Sequence, residues 1–189
     1  MKKRTIKFQM NAPCILWLAL ISFVILLISQ LTPIGINRFL ACYKTSWTDP
    51  MQYLRLFTHV LPHSSLAHFS GNFLLILALG PLVEEKYGSS RMLLMILITA
   101  LITGLINIFF SPGTAVIGAS GLVFMLILLA SFVNVRAGAI PITVLLVAVL
   151  YIGQEIVTGL TTRDTISQLS HVIGGLCGTG FGIIFHKKS

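Results

Sequence analysis

Four polar side chains interrupt stretches of this sequence that are otherwise apolar: His68, Asn72, Ser120 and His171. A serine hydroxyl is a nucleophile only when a nearby base takes its proton, and an imidazole titrates in the right range to do so. Ser120 lies in GTAVIGASGLVFM, flanked by Gly118, Ala119 and Gly121. Small residues at a helix start permit close backbone approach and leave amide N–H groups free to stabilise negative charge. An oxyanion in acyl transfer needs such donors. His68 and Asn72 are four residues apart and share a helix face. Both side chains can donate hydrogen bonds, so both suit an oxyanion. Each feature also has a plainer use. Small-residue clusters serve helix packing in membranes, and a His–Asn pair can be a polar packing contact.

His171 is followed by Gly174, Gly178 and Gly182, a G-x-x-x-G-x-x-x-G stripe on one helix face. Such a stripe draws a partner helix close, and His171 projects from roughly the same face. If the helix carrying Ser120 is that partner, Ser120 and His171 come within reach of each other. Carboxylates are scarce: only Asp49, Glu84, Glu85, Glu155 and Asp164 occur. None is placed mid-membrane to orient His171, so the expectation is a Ser–His dyad and not a triad. The same scarcity argues against an aspartyl site, which needs two carboxylates, and no H-E-x-x-H zinc motif occurs. Glu84 and Glu85 are expected to pair with Lys86 or Arg91 as solvated charges.

The elements that must position these residues follow from composition. The chain has 189 residues, 56% hydrophobic and only 10% charged. A soluble domain carries about 25% charged residues, so lipid must solvate much of this surface. Six apolar stretches approach the roughly 20 residues that span a bilayer: about 13–31, 66–83, 92–110, 118–134, 139–157 and 169–186. The basic start MKKRTIKFQMNAP resembles a signal peptide. The run after it is too long for one and lacks an A-x-A site, so a retained helix is expected. The loop of about 34 residues between the first two stretches holds Trp, Tyr, Phe and Leu and is expected to form short amphipathic pieces in the interface. The other connections, EEKYGSSR, SPGTAVIG, NVRAG and TGLTTRDTISQ, are short.

The net charge of +8 is distributed by topology and not as a basic face, which excludes nucleic acid as a partner. Lys2, Lys3, Arg4, Lys7, Lys86, Arg91, Arg136, Lys187 and Lys188 fall on one side; Arg38, Lys44, Arg55 and Arg163 fall on the other. This split places both termini in the cytoplasm. The even-numbered helices then enter from the outer face, which brings His68, Asn72, Ser120 and His171 to a similar depth below it. The domain plan is a basic cytoplasmic N-terminus at 1–12, an all-α six-helix membrane domain at 13–186 and a tail at 187–189. Cys14, Cys42 and Cys177 give neither a disulfide framework nor a metal site.

Read in order, the motifs are R-L-F-T-H at Arg55 to His59, H-x-x-x-N at His68 to Asn72, V-E-x-x-x-G-S at Val83 to Ser89, G-x-S-G at Gly118 to Gly121, and H-x-x-G-x-x-x-G at His171 to Gly178. Together they resemble the bacterial rhomboid intramembrane serine proteases with a six-helix core, from about residue 49 to 185. The resemblance implies Ser120 as nucleophile and His171 as general base. It implies an oxyanion hole made by the Ser120 N–H, His68 and Asn72, with Gly118 shaping the adjoining loop and Arg55 anchoring the first loop. It further implies substrates that are membrane proteins with a transmembrane helix, no cofactor and no metal, and a site opening to the extracytoplasmic side of the plasma membrane. Helix five and the loop above the site would gate substrate entry. Two positions depart from the family pattern. Phe124 stands where a Tyr often packs against the histidine, and Leu54 stands where a Trp often precedes the arginine.

Two other functions compete with proteolysis. A non-catalytic rhomboid-like binder of transmembrane helices is one; the resemblance implies that such a protein typically lacks the Ser or the His, and both are present. A small transporter calls for a polar pathway near the midplane, whereas these polar residues cluster near one face.

Overall fold

The structure is a computed structural model that describes residues 10–133 and 165–186 and, between these, residues 142, 146, 149 and 150. Its elements are helical: α1 (Pro13–Leu31), α2 (Ile36–Leu40), α3 (Pro50–Thr58), α4 (Leu66–Tyr87), α5 (Ser89–Phe110), α6 (Ser120–Ala130) and α7 (Thr165–His186). Among the described residues there is no strand beyond an isolated bridge between Cys42 and Val116. Among the described residues, four segments are long and apolar enough to cross a membrane: α1, α4, α5 and residues 168–185 of α7. The expected span at 139–157 lies largely outside the described residues, as do the NVRAG loop and most of TGLTTRDTISQ.

Local chemistry sets the helix ends. Pro13 and Pro50 open α1 and α3, where a missing N–H costs nothing. The Asp49 side chain caps α3 by accepting from Met51 N at 2.9 Å. Ser65 caps α4 by accepting from His68 N at 3.1 Å. The α1 start has no side-chain cap of its own. Its Cys14 and Ile15 N–H groups instead donate to the two carboxylate oxygens of Glu84, each at 2.9 Å. This corrects the expectation of a solvated charge: Glu84 is only 2% exposed and holds the end of α4 against the start of α1. Orphan helix-start donors and a carboxylate satisfy one another, which offsets burying both. Glu85 is exposed. Arg91 lies over the Phe185 ring at 5.4 Å.

The expected EEKYGSSR loop is almost absent. α4 continues to Tyr87, and Gly88, with φ of +85°, turns directly into α5. The long first loop contains the expected short pieces, α2 and α3. α3 buries Gln52, Arg55 and Leu56 while Tyr53, Leu54 and Phe57 stay exposed. Arg55 ties this loop together: Nε donates to Phe39 O at 3.0 Å, Nη1 lies 3.5 Å from Asp49 Oδ2, and the guanidinium covers the Tyr43 ring at 4.4 Å.

α6 is at the centre of the bundle. It packs most extensively against α7 and next against α4. Leu122, Met125, Leu126 and Leu129 are essentially buried, against Phe73, Ile76, Met92 and Met95 from α4 and α5. It is shorter than the expected 118–134. Its 11 residues, roughly 16 Å at 1.5 Å each, are too few to span about 30 Å of hydrocarbon. α5 carries a polar row of Thr99, Thr103 and Asn107 at four-residue spacing, buried against the α3 side and α6. Asn107 donates to Cys42 O and Thr114 O, fastening the first loop to the loop before α6.

Candidate functional site

The start of α6 lies between α4 and α7 at one end of the bundle, opposite the end where Glu84 caps α1. The closest approach is between α6 and α7. A Cβ on Gly174 would overlap the carbonyl oxygen of Gly121, and one on Gly178 would overlap that of Met125. A Cβ on Gly182 would meet the Phe132 ring at 2.5 Å. The glycine stripe therefore seats α7 on the α6 backbone, and α6 is the partner that the stripe draws in. Ser120 directly precedes Gly121, and His171 lies one turn before Gly174. The His171 ring stacks on Phe124 with centroids 4.3 Å apart and planes 16° from parallel. The ring at position 124 thus braces the imidazole without a hydroxyl.

The chain enters α6 through a strained turn. Gly118 has φ of +116°, a region closed to most L-residues. It is buried, and a Cβ there would lie 2.7 Å from His68 Nε2 and 3.7 Å from Asn72 Nδ2. His68 and Asn72 thus face the turn that carries Ser120. Ser64 Oγ, 3.1 Å from His68 Nδ1, steadies the ring from its other nitrogen.

The N–H groups of this turn are accounted for one by one. Gly118 N donates to His59 O at 2.8 Å, and Ala119 N to His63 Nε2 at 3.4 Å. Leu122 N and Val123 N donate to Ala119 O. The Ser120 and Gly121 N–H groups are the remaining donors, at the positive end of α6, with no partner among the described residues. Ser120 itself is partly exposed. A hydroxyl beside free amide donors, a second pair of donors across the turn and a braced imidazole are what addition to a carbonyl requires.

Two histidines enter that the sequence reading had not singled out as site residues. His59 is 3% exposed, with Nε2 3.2 Å from Ala100 O. His63 is fully buried, with Nε2 3.1 Å from Asn72 Nδ2. Burial pushes both imidazoles down to about 4, so both are neutral near pH 7. Their signal in the sequence is the continuation of the pattern upstream: His59, His63, His68 and Asn72 form H-x-x-x-H-x-x-x-x-H-x-x-x-N.

Among the described residues no cluster of His, Cys, Asp or Glu is arranged to hold a metal ion. A lipid-facing groove of about 440 Å³ lies between α1 and α5, lined by residues such as Cys14, Trp17, Leu18 and Leu93. It contains none of the residues above. A family model, described as Rhomboid domain, matches residues 50–188.

Proposed function

We propose that this chain, which belongs to the rhomboid family, is an intramembrane serine endopeptidase that cleaves transmembrane segments of other membrane proteins. The observation that carries the proposal is the backbone contact of α6 with α7 at Gly121 and Gly174, one residue after Ser120 and one turn after His171, beside the turn faced by His68 and Asn72; it supports pairing Ser120 with His171.

In this reading Ser120 Oγ attacks the scissile carbonyl as His171 takes its proton. The carbonyl oxygen becomes an oxyanion held by the Ser120 N–H, His68 and Asn72. Collapse breaks the C–N bond, and His171 passes the proton to the leaving amine, leaving an acyl-enzyme on Ser120. Water, deprotonated by His171, releases the second product. A helix hides its carbonyls in its own hydrogen bonds, so a substrate segment must unwind locally before it reacts. The positive-inside bias supports a site facing the extracytoplasmic side, with both termini cytoplasmic, in a chain of the plasma membrane.

The test is cleavage of a transmembrane reporter by purified protein in detergent, with labelling by a fluorophosphonate. Parent protein is expected to cleave and to label; Ser120→Ala and His171→Ala are expected to do neither. Equal cleavage by Ser120→Ala would remove Ser120 from its role. Failure of Ser120 to label would favour a non-catalytic binder of transmembrane helices.

A further inference from the structure

His63 is fully buried, yet it touches both Asn72 of α4 and the turn before Ser120. Its Nδ1 lies 3.0 Å from Leu61 O, and a carbonyl can only accept. Nδ1 therefore carries the ring proton, and Nε2 presents a lone pair. That lone pair faces Asn72 Nδ2 at 3.1 Å and the Ala119 N–H at 3.4 Å. The acceptor fixes which way the Asn72 amide is turned, because its oxygen in that place would set two acceptors against each other. Asn72 must point its NH2 at His63 and at the turn near Gly118.

The ring is held on every side. Phe69 and Phe73 meet it edge-on at 5.5 Å and His68 at 4.9 Å. Its own carbonyl accepts from Asn37 Nδ2 at 3.1 Å, which ties this position to α2 in the first loop. Burial keeps the imidazole neutral, so the lone pair persists at working pH.

We propose that His63 is a positioning residue: its Nε2 lone pair orients the Asn72 amide as an oxyanion donor. This rests on the protease reading above. It assigns the first loop a part in chemistry, through one imidazole, beyond anchoring the bundle. A purely structural His63 would need only its volume; a positioning His63 needs its acceptor.

The experiment compares His63→Leu, which keeps bulk and removes the acceptor, with His63→Gln, whose amide oxygen can replace Nε2. Each is made in the parent and in Asn72→Ala, with kcat and KM read on a transmembrane reporter and Tm read in the same detergent. His63→Leu is expected to lower kcat about 10- to 100-fold with little change in KM, the scale of a misplaced oxyanion donor. His63→Gln is expected to recover most of that loss. In the Asn72→Ala background His63→Leu is expected to cost no more than about threefold, because the donor it orients is gone. Equal losses for Leu and Gln, or the same fold-loss in both backgrounds, would overturn the inference while leaving Ser120-dependent cleavage intact. Cleavage by the parent that does not depend on Ser120 would instead sink the protease reading, and this inference with it.

Discussion

Gly118→Ala isolates the geometry of the turn before Ser120. The new Cβ would lie 2.7 Å from His68 Nε2 and 2.8 Å from Cε1, where ordinary contact begins at 3.4 Å. The imidazole must therefore withdraw by about 0.7 Å, or the turn must shift by as much. A φ of +116° on an alanine adds backbone strain of roughly 1–3 kcal/mol. Losing an oxyanion donor outright costs about 10²–10³ in kcat; a donor displaced but present should cost about 10- to 100-fold. The assay is single-site cleavage of a transmembrane reporter in detergent, with kcat and KM separated and Tm measured alongside. The expected pattern is a fall in kcat larger than any change in KM, with a lowered Tm. Gly113→Ala, where a Cβ meets nothing within 4 Å, serves as the control and should behave as the parent. On the protease reading, a Gly118→Ala protein with parental kcat would refute the idea that His68 is pressed against this turn.

Other perturbations test other parts of the structure. Gly174→Ala and Gly178→Ala should destabilise the bundle and abolish cleavage, whereas Gly180→Ala, which faces open space, should leave Tm unchanged or raise it slightly. Parental activity in Gly174→Ala would contradict the α6–α7 contact. Glu84→Gln keeps one acceptor oxygen for the α1 start and loses the other, which should lower stability by about 1–3 kcal/mol in denaturation assays. Phe124→Ala removes the ring stacked on His171 and should reduce kcat by up to about tenfold, the scale of one aromatic contact. His59 and His63 have folded values near 4 against 6.5 when exposed, so the unfolded chain binds more protons between those values. Stability should therefore fall as pH is lowered from 6.5 towards 4, by up to about 1.4 kcal/mol per pH unit for each histidine. A Tm that is flat between pH 7 and pH 5 would contradict the burial of these rings.

The helices long and apolar enough to cross a bilayer were legible because lipid demands long apolar runs. The expected 13–31 matches α1, and 169–186 falls within α7. Hydropathy misjudged the α4–α5 junction because it treats Glu84 as a charge seeking water, whereas the structure uses it as a helix cap. It likewise extended α6 beyond both ends, since Gly118 and Ala119 before it and residues 131–133 after it read as helix without forming one. The polar quartet was visible as an interruption of apolar pattern, and the glycine stripe carried its own geometric meaning. His63 was hidden because a turn has no periodicity: it follows Pro62 in a segment that is neither helix nor span, and its importance comes from contacts nine and fifty-six residues away.

The Glu84 cap also imposes a chronology. The N–H groups of α1 that it accepts are made about seventy residues before the carboxylate itself. When α1 first enters the membrane its start is unfinished, and only headgroups or water can meet those donors. Completion waits until α4 has followed the whole first loop across and returned its far end to the same side. The start of α1 is thus sealed only once α4 is complete, and a chain halted before residue 84 lacks the carboxylate that closes it.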